Sequence, residues 1–485
     1  MELKHVSEHA VLGPTMAIPV TVLDSNWMDS EWYGGLTVTP LCSSVANRSP
    51  PPIRTSYVRD GWLHLPRFRG IELVGMVSKD RRSLGEPMNP DVLFGGSLKP
   101  NQTEATSRVM DQMRTIGGAM LVLPCGFGKT VCSIWIMSQL RRRTLVLVHT
   151  GALADQWEDR ISTFLPGSKV GRIQQDVVRV DGCDVVIGMI QSLAKRDYGR
   201  DLRETFGTVI IDEAHHIAAP YFSGALRKIS AKYVVGLSAT PDRKDGLGEI
   251  LPWMLGPIAF RAYREAENVK IHLIDYVNPS TQVELVDRRG KPRYAEMLTS
   301  LSMTEDRNAR IIELIRSHVK SGRCLIVLSE RRDQLLELER LLLEEEGAVS
   351  LTAMPPRKRR RKNDPPPPPM DPPPQGTKMA VARVMGGTSN ELRDHGFEHS
   401  TVLLSTYPYA SEGIDIPRLD TLVMASPGIN VEQTVGRILR KHPTKQVPLV
   451  VDIRDPFSLF GGMGWKRYNY YSSQNYSFTN YVWEV

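Results

Sequence analysis

Two stretches of the chain alternate short, nearly continuous apolar runs with longer segments of helical period. In the first, residues 119–123, 144–148, 184–188, 207–211 and 233–237 predict strands, and 131–140 and 153–164 predict helices. In the second, 324–329, 379–384, 402–405, 421–425 and 448–452 predict strands, with helices at 308–320 and 331–346. Strands buried on both faces read as unbroken apolar runs, and their alternation with helices is the signature of a parallel sheet with helices on both sides. The pattern therefore predicts two α/β domains in tandem. Residues 1–82 are different: short β-rich runs at 18–23 and 61–65 lie among Pro, Gly and Ser, which predicts a small accessory segment with a few strands.

Two segments break the pattern. Residues 354–376 hold a run of Arg and Lys followed by five and then three prolines, a composition that buries no core and predicts a disordered or polyproline-II insertion. From Phe457 onward the chain is rich in aromatics, among them Phe460, Trp465, Tyr468, Tyr470, Tyr471, Tyr476, Phe478, Tyr481 and Trp483. Packing against the second domain is the favoured reading of this tail. A platform for stacking nucleic-acid bases is the alternative.

Composition narrows the class. A length of 485 residues suits about three domains, or two large ones with additions. With 41% apolar and 24% charged residues the chain can build a sizeable core. No apolar run reaches the length of about 18 residues that a membrane span needs, so no membrane partner is expected. The first five residues, Met-Glu-Leu-Lys-His, do not begin a secretory signal, so an intracellular protein is expected. Five cysteines (42, 125, 132, 183 and 324) form no C-x-x-C pair, which disfavours a disulfide framework or a zinc ribbon and fits a reducing compartment. The net charge is +7, but residues 357–362 supply six of those charges, so overall basicity says little about partners. That basic block is open to three readings: a solvated charge block, a nuclear-localisation patch or a tether for phosphates.

The candidate chemistry starts at residues 121–130, Leu-Val-Leu-Pro-Cys-Gly-Phe-Gly-Lys-Thr: an apolar strand, a glycine-containing turn and a helix. Gly126 and Gly128 let backbone N–H groups turn toward a phosphate. Lys129 would reach the β- and γ-phosphates of a nucleotide, and the Thr130 hydroxyl would ligate Mg²⁺. Leu123 stands where the P-loop consensus has its first glycine, so the plain alternative is a strand–helix turn with an exposed lysine. The segment 208–215, Thr-Val-Ile-Ile-Asp-Glu-Ala-His, strengthens the phosphate reading. It is an apolar strand ending in two carboxylates, which a parallel sheet places at its ligand-binding edge. Asp212 would hold Mg²⁺ through its water shell and Glu213 would polarise the attacking water. His215 and His216 beside them do not make a metal pair, because neighbours at a strand end point opposite ways.

An Asp-Glu-Ala-His element downstream of a P-loop resembles the superfamily 2 helicases and translocases, and further segments match in order. Residues 98–102, ending in Gln102, resemble the segment whose Gln reads the adenine edge. Val148, His149 and Thr150 with Leu153, Gln156 and Trp157 resemble motif Ia, which meets the nucleic-acid backbone. Residues 187–192 resemble motif Ib, and 236–241, with Ser238, Ala239 and Thr240, motif III. Residues 325–329 resemble motif IV. Ser405 and Thr406 through Gly413 and Asp415 resemble motif V. Gln433, Gly436, Arg437 and Arg440 resemble motif VI. The likeness covers about residues 60–470 and is greatest to the xeroderma-pigmentosum-B branch. There Pro124-Cys-Gly also replaces the first glycine, and residues 241–246 resemble an Arg-Glu-Asp element, with Lys244 where Glu is usual. Residues 66–70 and 94–100 look like relatives carried by large DNA viruses and phages, which suggests a viral source.

The resemblance implies two RecA-like doubly wound parallel-sheet domains, at 83–300 and 301–470, behind the accessory segment 1–82 and before the aromatic tail 471–485. It implies ATP and Mg²⁺ as cofactors. Lys129, Asp212, Glu213, Gln433, Arg437 and Arg440 would be catalytic, and Gln102, Gly126, Gly128, Lys129, Thr130, Gly413 and Asp415 would bind the nucleotide. Thr130 and Asp212 would serve the metal, and His215, Ser238, Ala239 and Thr240 would couple the ATP site to movement. Arg437 and Arg440, three apart on one helix face, would reach the phosphates from the second domain. The expected partner is DNA, double- or single-stranded, with proteins of transcription or repair. Helicase action on RNA and non-catalytic nucleic-acid binding are the alternatives. A nucleus or viral factory is the expected location.

Overall fold

The computed structural model describes residues 3–41, 51–124, 126–196, 198–199, 204–215, 224–239, 245–263, 268–352, 371–414, 416–428, 431–440, 442–443 and 445–484. The chain divides into two compact units, Met1–Tyr263 and Arg264–Val485.

The first unit is built on an eight-stranded sheet whose edge-to-edge order is Val177–Arg179, Val170–Gln174, Val185–Met189, Thr144–Val148, Thr208–Ile211, Tyr233–Ser238, Gly118–Val122 and Ile258–Arg261. All neighbours are parallel except the first pair, a short antiparallel hairpin at the edge. The central runs are buried on both faces. In Thr144–Val148, Leu145 and Leu147 enter one core, and Val146 and Val148 the other. Helices of the two faces begin where the sequence allows. Gly128 precedes Lys129–Leu140 in a left-handed conformation (φ 98°). Thr150 caps Gly151–Phe164, its hydroxyl accepting the Leu153 N–H at 3.3 Å, a bond that typically contributes about 1 kcal/mol.

The N-terminal residues form a separate small sheet in the order Tyr57–Arg59, Trp62–Pro66, Thr15–Pro19, Val11–Leu12 and Lys79–Asp80. The predicted run 18–23 is strand only to Pro19 and then turns into the 3-10 segment Val20–Val22. The helix Arg67–Val74 fastens this sheet to the larger one. The buried Arg67 guanidinium donates to the carbonyls of Ala231 (2.7 Å) and Ile229 (3.1 Å). Phe68 lies so close to the strand Gly118–Val122 that a Cβ on Gly118 would sit 2.0 Å from its ring, so only glycine fits there.

The second unit carries a second eight-stranded sheet, parallel throughout, in the order Ala348–Ser350, Met379–Arg383, Val402–Thr406, Leu325–Ser329, Thr421–Met424, Leu449–Arg454, Lys270–Val277 and Ser477–Glu484. The expected α/β class and the β-rich N-terminal sheet are both present; the boundaries differ. Lys270–Val277 belongs to this second sheet, so the division falls after Tyr263 rather than after residue 300. Nor is the tail a segment apart from residue 471. Its helix Ser458–Ser473 runs across that position, and Ser477–Glu484 pairs with Lys270–Val277 as the edge strand. Phe460, Tyr471 and Tyr476 are buried, which is the packing reading of the tail, while Trp465 is exposed with Tyr468 stacked on it at 5.4 Å.

Among the described residues of this unit, two ion pairs are fully buried. Arg307 grips Asp455 through Nε (3.1 Å) and Nη2 (3.0 Å). Arg467 grips Asp452 with two bonds of 2.8 Å and donates through Nη1 to the Gly428 carbonyl at 3.0 Å. Most of the insertion, residues 353–370 with the basic block, lies outside the described residues. Among the described residues no helix is long and apolar enough to cross a membrane.

Candidate active site

The site lies where three strands of the first sheet end at its C-terminal edge. Gly118–Val122 leads into the turn 123–128, in which the Leu123 N–H donates to the Ser238 carbonyl at 3.0 Å and the Phe127 N–H to the Pro124 carbonyl at 3.2 Å. Gly126 (φ 86°) and Gly128 (φ 98°) both take left-handed conformations that other residues adopt at a cost. At Gly128 a side chain is also excluded by space, since a Cβ would lie 2.5 Å from Gln102 Nε2. Lys129 and Thr130 open the helix, whose start presents backbone N–H groups and a partial positive charge.

Asp212 follows the strand Thr208–Ile211 directly. Its own N–H donates to the Leu147 carbonyl at 3.0 Å, which extends the pairing with the next strand by one residue. Both carboxylate oxygens are held: Oδ1 accepts the Glu213 N–H at 2.9 Å and Oδ2 accepts the indole N–H of Trp157 at 2.8 Å. Burial pushes the Asp212 carboxyl above the usual carboxylate range, and the like charge of Glu213 adds to the rise. Lys129 and the Trp157 N–H oppose it.

Glu213 has φ 47°, a left-handed conformation that strains a residue with a Cβ by roughly 1–2 kcal/mol. In that conformation its side chain meets Lys129, whose Nζ donates to Oε1 at 3.3 Å; the two side chains are 13% and 17% exposed. Oε2 lies 3.4 Å from His215 Nδ1, and the same ring nitrogen lies 3.5 Å from the hydroxyl of the buried Ser238. Lys129, Asp212, Glu213, His215 and Ser238 thus form one connected cluster, although the sequence spreads them over more than a hundred positions.

Gln102 borders this cluster in an arrangement its spacing did not suggest. It is 4% exposed, its Oε1 accepts the Lys99 N–H at 2.9 Å and its Nε2 donates to the Phe127 carbonyl at 2.8 Å. The amide expected to read an adenine edge here links the glycine turn to the start of its own helix. Trp157 was expected to face a nucleic-acid backbone with the rest of its segment; instead it is buried and bonded to Asp212. No spacing rule links positions 157 and 212, so the sequence offered no signal for this contact. The neighbouring segments are tied together as well, Gln191 donating to the His149 carbonyl at 2.7 Å.

The second unit holds the remaining candidates. Arg437 is the last residue of the helix Val431–Arg437, and its Nη1 donates to the Ile414 carbonyl at 2.8 Å, joining the two segments expected to act together there. Arg440 does not share that helix. After Arg437 the backbone tightens into turns, Ile438 N–H to the Val435 carbonyl at 3.0 Å and Leu439 N–H to the Gly436 carbonyl at 3.4 Å, so Arg440 stands past the end of the helix. Ala239 follows the strand Tyr233–Ser238, and Gly413 closes the helix Tyr407–Gly413. Thr240, Asp415 and His216 lie outside the described residues, as does the side chain of Gln433.

The residues present fit a nucleoside triphosphate with Mg²⁺. The left-handed glycine turn leaves room where a Cβ would stand, a lysine and a threonine open the helix behind it, and two carboxylates follow Thr208–Ile211, the strand next but one. Hard oxygen donors of this kind suit Mg²⁺.

The chain is similar to several known proteins. Residues 96–243 match the family model described as the res subunit of type III restriction enzymes. A protein of Acanthamoeba polyphaga mimivirus named as an ATP-dependent RNA helicase is 30% identical over 476 residues, covering 95% of this chain and 85% of its own length. One of African swine fever virus, also named as an ATP-dependent RNA helicase, is 28% identical over 382 residues, covering 74% of this chain and 69% of its own. Among solved structures, a fragment named as an HsdR subunit of a type I restriction enzyme from Vibrio vulnificus aligns with a TM-score of 0.54 at 18% identity. It covers 81% of this chain and 70% of that one, a likeness of fold.

Proposed function

The chain belongs to the superfamily 2 helicases represented in large DNA viruses, and from that membership we propose an ATP- and Mg²⁺-dependent motor that moves along double-stranded DNA. An ATP-dependent helicase is what the family provides; the metal, the substrate and the residue roles are our reading. The observation that carries it is the cluster in which Lys129 meets Glu213 beside the doubly held carboxylate of Asp212.

Lys129 leaves Glu213 to take the β- and γ-phosphates, which frees the Glu213 carboxylate to orient the attacking water. Thr130 and Asp212 would hold Mg²⁺, which would supply neutralisation of the phosphate oxygens. Gly126 and Gly128 cradle the phosphates with backbone N–H groups. Arg437 and Arg440 of the second unit add positive charge to the γ-phosphate as it departs, with Gln433 at the same phosphate. Gly413 and Asp415 complete the nucleotide site from that unit. Gln102 sets the turn and, on releasing Phe127, can reach the base. His215 is placed to pass the state of Glu213 to Ser238, and from there to Ala239 and Thr240. Movement on nucleic acid follows from that coupling, with the work in transcription, recombination or repair inside the cell.

DNA is supported by the likeness of residues 124–126 and 241–246 to the xeroderma-pigmentosum-B branch. The names of the mimivirus and swine-fever relatives favour RNA as the second reading. Phosphate release measured with duplex DNA, single-stranded DNA and RNA separates them. Duplex DNA is expected to stimulate most, and displacement of a triplex-forming strand should follow. Stimulation by RNA alone overturns the DNA reading.

A further inference from the structure

Asp212 is held from a direction that the phosphate site does not supply. Trp157 lies in the middle of the helix Gly151–Phe164, is 1% exposed, and donates its indole N–H to Asp212 Oδ2 at 2.8 Å across 55 positions of sequence. A tryptophan that only fills core needs a partner for its N–H, and a backbone carbonyl would serve. Here the partner is the carboxylate at the end of a central strand, one residue before the Glu213 that pairs with Lys129. The other oxygen, Oδ1, is fixed by the Glu213 N–H at 2.9 Å.

These two donors do different things. The Glu213 N–H belongs to the same turn and moves with Asp212. The indole belongs to a separate helix, anchored by Leu153, Ala154 and Ile161 in the core. Of these two donors, the indole is the one that ties the carboxylate to an element other than its own turn. A carboxylate offers about four acceptor positions, so two remain for water or substrate. Neutral donors to a buried carboxylate also offset its desolvation, and burial is the largest influence on Asp212. Partners that orient a metal-binding carboxylate typically matter about 10- to 100-fold in metal affinity.

We propose that Trp157 is a positioning residue for ATP hydrolysis: its indole N–H holds Asp212 in the orientation from which that carboxylate serves Mg²⁺. The proposal rests on the role assigned to Asp212 above and adds to it the residue that makes the role effective.

The test uses the full chain and two variants. Trp157→Phe keeps an aromatic ring in the core and removes the N–H; Trp157→His keeps a ring N–H in a smaller side chain. Equilibrium binding of a fluorescent ADP analogue is measured with Mg²⁺ and with EDTA, alongside Mg²⁺ titrations of the ATPase and thermal melting. For Trp157→Phe, binding in Mg²⁺ should weaken about 10-fold while binding in EDTA stays at the wild-type value. The Mg²⁺ concentration for half-maximal ATPase should rise by a similar factor, and excess Mg²⁺ should recover most of the rate. Trp157→His should lie between Trp157→Phe and wild type, even if both melt earlier. On an Asp212→Asn background, Trp157→Phe should add little further loss, because the two act through one contact.

Equal losses in Mg²⁺ and in EDTA would reduce Trp157 to a packing residue and overturn the proposal. So would an unchanged Mg²⁺ requirement, or Trp157→His no better than Trp157→Phe. These outcomes leave the site reading intact. That reading fails separately, if Asp212→Asn hydrolyses ATP with the wild-type Mg²⁺ dependence.

Discussion

Lys129 Nζ lies 3.3 Å from Glu213 Oε1, so the cation that opens the helix after Gly128 and the second carboxylate after the strand Thr208–Ile211 neutralise each other across the strand between them. On the proposed reading, a triphosphate would offer Lys129 a stronger anion and release Glu213.

Lys129→Ala and Glu213→Gln should both abolish turnover but differ in binding. The first removes the cation from the phosphates, so the affinity for ATP should fall by about 10-fold or more, as loss of a charge-assisted bond implies. The second removes the Glu213 charge that faces Lys129 while keeping the side chain's size, so ATP should bind at least as tightly as to wild type and persist uncleaved. Equilibrium binding of labelled ATP distinguishes the two; equal weakening in both would refute the water-activating role of Glu213.

Arg437→Ala and Arg440→Ala should lower the catalytic rate by about 10³-fold, the scale of arginine contributions in related phosphoryl transfers, with a smaller effect on ATP binding. A fragment of residues 1–263, one of the two compact units, should bind ATP weakly and hydrolyse it negligibly. Full-length rates in that fragment would remove the arginines from the reaction. Arg437 should prove the more sensitive of the two, because the Ile414 carbonyl fixes it at a helix end.

Much of this site was legible in the sequence because its parts are local. The glycine turn, the Asp212–Glu213 pair and the strands that carry them are contiguous patterns, and strands such as Thr144–Val148 and Thr208–Ile211 are apolar throughout. Lys270–Val277 was missed for the opposite reason. Its His272 and Asp275 interrupt the apolar run, and it lies far in sequence from the strands it joins. Trp157 was found by resemblance but given an outward role, and the bond from Gln102 to Phe127 was not foreseen, because the partner of a side chain is a property of the folded edge and not of spacing. Arg440 lies past the helix end because the regular turn stops at Arg437, which a three-residue interval alone does not reveal.

Arg467→Met should destabilise the second unit by about 3 kcal/mol, since it leaves the buried Asp452 without its main cation. Urea unfolding followed by Trp fluorescence measures this. The double variant Arg467→Met with Asp452→Leu should recover part of the loss, and no recovery would mean that the Gly428 and Tyr471 contacts dominate.

Acid should weaken the second unit through His318. Burial, with Arg323 and His272 adding repulsion, lowers its imidazole pKa to about 4. Between the ordinary histidine value and about 4, the unfolded chain binds a proton that the folded chain refuses. Stability is therefore full above the ordinary value, declines through that window as pH falls, and levels off below it. His318→Gln should flatten this part of the melting profile between pH 7 and 4; an identical slope in both proteins would exclude His318 as its source.

The order of strands in the second sheet bears on how the protein is made. Lys270–Val277 pairs on one side with Leu449–Arg454 and on the other with Ser477–Glu484. On the ribosome this strand emerges about 180 residues before the earlier of its two neighbours, with both hydrogen-bonding edges open. The first unit can close on itself during that interval, whereas the second must wait for its last strands. For that time Lys270–Val277 is an adhesive segment, and chains stalled or truncated before residue 449 should be prone to pair with one another through it.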